Sequence, residues 1–246
     1  MGKYTKSKQI VLNYFDEMER CTPEQCRDVL LRYASEDLDW KGVYPFRQQY
    51  GPINVAETFW KPLKHALPKM QRRMDIFIAG ENEFGADPEE QWVLSSGHFM
   101  GLFDNDWLGI PHTNKMNCLR YAEFNCVKNG KISKTGLFID ILGFMQMAGV
   151  DCIPYQTGKF YVYPGPRGHD GLLFEDAPEE QSRSMLRIID RLCGAEPEYV
   201  DCTPDTNDYS CLTQDEIDYV KQMKRVFEDD VIWYGPCGIR ASYTLP

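Results

Sequence analysis

MNCLRYAEFNCVKNGKISKTGLFIDILGF, residues 116–144, holds two alternating apolar runs on either side of Asn129-Gly130. Asn-Gly is the strongest short-range hairpin signal, because both residues accept the positive φ that a tight type I′ turn requires. The dipeptide therefore predicts a strand ending at Val127, a turn, and a second strand from about Ile132. Arg120 and Glu123 lie three apart on the first strand and so face opposite sides of the sheet. The second run carries one carboxylate, Asp140, among Leu137, Phe138, Ile139, Ile141 and Leu142. A charge in such surroundings is expensive unless it is paired, hydrogen-bonded or neutralised.

Working outward, period-two alternation recurs in MDIFIA (74–79) and QWVLSSGHFMGLF (91–103), with turn-rich segments at 85–90 and 104–114. Before residue 70 the period is helical. Ile10, Val11, Tyr14, Phe15 and Met18 form one apolar stripe. Thr22-Pro23-Glu24-Gln25 reads as a helix start with Pro at the first position and Gln three after the cap. A further helix follows Gly51-Pro52, and Pro62 is expected to kink or end it near Lys61. Helices followed by an antiparallel meander imply an α+β fold, with helices covering one face of a curved sheet.

The chain divides on this reading into an α+β domain (1–150), a loop-rich linker with a short helix near 180–193 (151–212), and the start of a truncated second module (213–246). The second module rests on an echo: EDLDW at 36–40 and DDVIW at 229–233 each follow an amphipathic segment, and one about 213–228 is read as a helix.

Composition sets outer bounds. A net charge of −10 argues against nucleic acid or an anionic membrane as partner. Nine cysteines without metal-ligand spacing read as reduced thiols, several of them core residues, in a cytoplasmic protein. The opening MGKYTKSKQ lacks a signal-peptide apolar run, and no stretch is long enough to span a bilayer. Four scattered histidines, with no phosphate loop, dinucleotide fingerprint or nucleophile elbow, leave no expected cofactor or metal.

The stretch 97–149 resembles the SnoaL-like polyketide cyclase family of the nuclear transport factor 2-like superfamily. The likeness is carried by Gly97/Gly101, Trp107-Leu108-Gly109-Ile110-Pro111-His112-Thr113, Arg120 to Phe124, Asn129-Gly130-Lys131-Ile132, Asp140 and Gln146-Met147-Ala148-Gly149. Asn114 departs from the family's glycine, but Asn tolerates the left-handed conformation. The resemblance implies a cone-shaped fold with a cavity between helices and sheet, and an acid/base role for the aspartate at the Asp140 position.

On that expectation Asp140 and His98 are the candidate catalytic pair. A desolvated carboxyl tuned towards neutrality can move a proton beside a carbonyl, and an imidazole can polarise or orient. Tyr44, Trp60, Trp92, Trp107, His112, Arg120 and His169 are the candidate substrate-binding residues, offering flat apolar walls or polar groups at turns. The competing reading of Asp140 is an aspartate at a strand end, capping a backbone group or pairing with Arg120. Three functions follow: a cofactor-independent acid/base enzyme on a small apolar carbonyl compound; a non-catalytic module that binds a small hydrophobic ligand or dimerises; and an epoxide hydrolase-type activity. A small apolar or aromatic ligand and a homodimer through the bare sheet face are the expected partners.

Overall fold

The computed structural model describes residues 2–82, 87, 89–152, 154, 165–166, 168–193, 232–233, 235, 237 and 242–243. The chain splits into two compact units, Met1–Asp176 with Pro236–Gly238, and Ala177–Gly235 with Ile239–Pro246.

The first unit opens with helix α1 (Thr5–Arg20), whose stripe of Val11, Tyr14, Phe15 and Met18 is buried. Burying each such side chain contributes roughly 1.5–3 kcal/mol. Thr22 and Gln25 form the expected capping box, leading into α2 (Cys26–Tyr33). Lys64 is buried, and its ammonium donates to the Met18 and Glu19 carbonyls at 2.6 and 2.8 Å, satisfying the C-terminal end of α1.

Strands β1 (Ala34–Gly42) and β2 (Gln48–Tyr50) follow within a region read above as helical. The signal for β1 is short: Leu38 and Trp40 point inward between Asp37, Asp39 and Lys41. Next come α3 (Pro52–Val55), a π-helical turn (Ala56–Trp60) and α4 (Lys61–Ala66). Pro62 therefore does not end the helix; the wider turn just before it accommodates the missing N–H.

Strands β3 (Gln71–Gly80), β4 (Gln91–Leu102), β5 (Met116–Lys128) and β6 (Lys131–Ile139) complete a six-stranded sheet of order β2-β1-β6-β5-β4-β3. The α+β class stands, but the sheet is mixed: β1 runs parallel to β6. No hairpin joins those two strands, so no turn forces them antiparallel. The β5–β6 hairpin turns on Asn129 and Gly130 at φ 52° and 75°, as their sequence demands.

One face of the sheet meets the helices through Val93, Phe99, Leu119, Tyr121, Ile132 and Leu137. The other carries Trp92, His98, Arg120, Phe124 and Phe138. Beyond β3 the chain returns as a short strap: the Phe77 amide donates to the Gly171 carbonyl at 2.7 Å, and the Leu173 amide to Phe77 at 2.8 Å. Buried Lys8 fastens its end, 3.0 Å from Asp176 and 2.8 Å from the Glu175 carbonyl.

In the second unit, helix α6 (Glu179–Cys193) matches the expected short helix, and β7 (Ile232–Trp233) pairs antiparallel with β8 (Ser242–Tyr243). The helix expected at 213–228 lies outside the described residues.

Candidate functional site

Strand β6 ends at Ile139, and helix α5 (Ile141–Met147) begins where the sequence reading continued the strand. Asp140 is its N-cap. One carboxylate oxygen accepts the Gly143 N–H at 2.9 Å; the other accepts the N–H of Cys237, which belongs to the same unit, also at 2.9 Å. Asp140 is thus the strand-end cap of the competing reading, with hydrogen-bonded backbone donors on both oxygens.

The outer sheet face brings two expected residues together. Arg73, His98 and Arg120 are direct cross-strand neighbours on β3, β4 and β5, and the Asp140 amide donates to the Arg120 carbonyl at 3.0 Å. A bulge between Met74 and Ile76 turns Asp75 onto this row. A methyl group at Gly97, opposite the bulge, would lie 1.9 Å from the Arg73 carbonyl oxygen, so only glycine fits. Asp75 stands 3.9 Å from His98 Nδ1, the two side chains being 24% and 14% exposed. Burial pushes the Asp75 carboxyl up, opposed by the positive fields of His98, Arg120 and His169. Burial likewise pushes His98 down, opposed by Asp75. Hence His169, from the turn-rich PGPRGHDG segment, acts electrostatically on this row. Alternation across MDIFIA gave no sign of Asp75, because a bulge is invisible to a period-two count.

Between helices and sheet lies a second group missed from sequence. Arg72 Nη1 approaches buried Glu123 Oε2 to 2.8 Å. Its guanidinium carbon lies 3.6 Å from the Phe15 ring centroid and 4.7 Å from those of Phe99 and Tyr121. Asn125 donates to Glu123 at 3.1 Å, Thr135 donates to Asn125 at 2.9 Å, and Ser95 and Tyr121 share a 2.9 Å hydrogen bond. Burial works against the guanidinium charge, but Glu123, Tyr121 and Tyr14 outweigh it and hold the pKa up. Burial raises both tyrosine hydroxyls. The signal for Arg72 was its position two residues before Met74 on an inward-facing strand, but residue 72 fell outside the run chosen by alternation.

The remaining candidates are dispersed. Trp60 packs edge-on to Phe59 and Phe99, and Trp107 against Phe46 and Phe144, all in the core. Tyr44 is 76% exposed. His112 Nδ1 is hydrogen-bonded to Asp106 at 2.7 Å on the surface. Trp92 lies on the outer face, where with Phe124 and Phe138 it lines a hollow of about 500 Å³. Asp39, Lys41, Glu81 and Lys134 supply the charged lining. Phe124 and Phe138 meet edge-on at 6.1 Å.

No family model matches the chain, and no curated protein does. Among solved structures the chain is similar to a protein assigned as a SnoaL-like polyketide cyclase from Jannaschia sp. CCS1, at 18% identity over 61% of this chain and 94% of that one, TM-score 0.46. It is similar to IdmH from Streptomyces antibioticus, assigned as a polyketide cyclase, at 10% identity over 58% and 97%, TM-score 0.45. AclR from Streptomyces galilaeus, assigned as a hydroxylase, aligns at 11% identity over 76% and 94%, TM-score 0.45.

Proposed function

We propose that this chain is a binding module of SnoaL-like type that takes a small, flat, apolar ligand on its outer sheet face. The observation that carries this reading is the hollow of about 500 Å³ walled by Trp92, Phe124 and Phe138. Its size suits a ligand of two or three fused rings. The commitment of both Asp140 oxygens to backbone N–H groups supports binding over proton transfer at that residue. The probe is 1-naphthol, with binding followed through the Trp92 indole N–H resonance. Saturable binding that is lost in Phe138→Ser, at unchanged melting temperature, is the expected result; equal binding in that variant overturns it. Sedimentation of the same samples reports whether a second copy occupies this face instead, as the 59% exposure of Phe138 allows.

A second reading has its own observation: Asp75, His98 and Arg120 converge on the outer face. A half-buried carboxyl beside an imidazole and a guanidinium suits acid/base work on an enolisable carbonyl compound, or on an epoxide, with no cofactor. The test is deuterium wash-in to 2-tetralone in heavy water. Exchange that disappears in Asp75→Asn and in His98→Gln but survives in Asp140→Asn supports it. Exchange lost only in Asp140→Asn returns the chemistry to the residue first expected; no exchange above buffer removes this reading.

A further inference from the structure

Cys21 and Cys26 were read from sequence as ordinary reduced thiols. The structure brings them together where α1 ends and α2 begins, with the sulfurs 3.8 Å apart. Residues 22–25 form the whole connection between them, a capped 3₁₀ turn. Cys26 is fully buried and donates to the Thr22 carbonyl at 3.6 Å. Cys21 is half-buried and lines a surface hollow of about 290 Å³, with Glu17, Arg20, Gln25, Asp28, Val29 and Arg32. The pair therefore has an outer sulfur that solvent reaches and an inner one held against it.

We propose that Cys21 and Cys26 form a redox-sensitive dithiol that hydrogen peroxide converts to an intramolecular disulfide. The Cys21 thiolate attacks one peroxide oxygen; the O–O bond breaks, hydroxide leaves, and Cys21 becomes a sulfenic acid. The Cys26 sulfur then attacks the Cys21 sulfur, the S–O bond breaks, and the departing hydroxide takes up the Cys26 proton as water, while the hydroxide released first takes from solvent the proton that Cys21 had given up. Two thiols lose two electrons and the peroxide is reduced to two waters. A thiol reductant reverses the step by exchange through the half-buried Cys21 sulfur at the hollow. Closing the gap from 3.8 Å to a bond of about 2.05 Å draws on the short turn between the helix ends.

The electrostatics agree with the geometry. The Cys26 hydrogen bond lowers the Cys21 pKa to about 7, against burial, and the field of Lys64 adds to the effect. The same coupling holds the Cys26 thiol up. The groups facing Cys21 are Lys64 from α4, Glu17 and Arg20 from α1, and Asp28 and Arg32 from α2; Arg20 is paired with Asp16 and Arg32 with Glu17, so Lys64 is the cation whose field dominates. Cys118 and Cys126 are also buried, but burial pushes their thiols up. Such thiols are poor nucleophiles at neutral pH.

Trypsin cuts after Arg20 and Arg27 and releases CTPEQCR, residues 21–27, with both cysteines in one peptide. The folded chain is treated with equimolar hydrogen peroxide, blocked with iodoacetamide and digested without reductant. The expected product is this peptide two hydrogens lighter and unalkylated, restored to the dithiol by dithiothreitol. In Cys26→Ser a 1,3-dione should trap sulfenic acid at Cys21; in Cys21→Ser no adduct should form at Cys26. The iodoacetamide profile of Cys21 should have its midpoint near pH 7 in the folded chain and near ~8.5 in urea. A peptide that stays doubly alkylated, or a disulfide from Cys21 to some other cysteine, overturns the proposal. So does a profile that urea leaves unmoved.

Discussion

A carboxylate placed in an apolar run is stabilised either by a mobile proton or by fixed donors, and at Asp140 the donors are the Gly143 and Cys237 amides. Asp140→Ala removes the cap and should lower stability by about 0.5–2 kcal/mol in urea denaturation, while Asp140→Asn should lose less because its side-chain oxygen still accepts. His98 makes a pH prediction. Its folded pKa lies below the unfolded value near ~6.5, so the folded state binds its proton later. Stability is then complete above ~6.5 and falls as pH drops through the window between the unfolded and folded values. Asp75, raised in the fold, acts oppositely and returns stability as pH falls further. Arg73 and Arg120 face His98 from the adjacent strands and deepen the loss, whereas His169 acts on Asp75. His98→Gln should flatten the decline in urea midpoint below ~6.5; an unchanged profile would remove His98 as its source. Alternation separated Arg120 from Glu123, as the structure shows. It did not say which face lay under the helices, since a period of two is symmetric about the sheet. Asn114 adopts φ +53°, the left-handed conformation that its side chain tolerates.

Elements with local signals were the legible ones. The Thr22–Gln25 capping box, the Asn129-Gly130 hairpin and the stripe of α1 each depend on neighbours within a few residues. Strand β1 depends instead on its parallel partner β6, about a hundred positions away, and its Leu38/Trp40 alternation is too short to stand alone. The strap over β3 is of the same non-local kind. It covers part of an edge strand, whose open amides otherwise invite pairing with other chains. Its fastening is Lys8, 3% exposed, against Asp176. In Lys8→Met, Asp176 loses its cation and keeps the Tyr4 amide at 2.9 Å. The Leu173 amide, bonded to Phe77, should then exchange with deuterium at least about tenfold faster, equivalent to about 1.4 kcal/mol of local opening. Protection unchanged in that variant would mean that the strap is held by the Phe77–Phe174 ring contact instead.

For the first unit as a whole, the decisive feature is that its core encloses an ion pair. Aromatic rings from α1, the π-helical turn, β4 and β5 close around Arg72, whose counter-charge is Glu123. Sequence patterning anticipates an apolar centre, because a lone arginine and a lone glutamate on separate strands reveal nothing of their pairing. Removing one partner strands the other charge in the core, so Arg72→Met or Glu123→Leu should each cost about 3–5 kcal/mol. Against a total stability of about 5–15 kcal/mol for such a domain, either variant should unfold at much lower urea concentration. The double variant Arg72→Met/Glu123→Leu removes both desolvated charges and leaves volume-matched apolar groups among the rings. It should recover most of the loss, with the Asn125 donor to Glu123 left to find another acceptor and the Tyr121 hydroxyl keeping its Ser95 partner. Urea midpoints of the four proteins give the coupling directly. Losses that simply add would show that the two side chains act independently, and the ion pair could then not be the organising contact of this core.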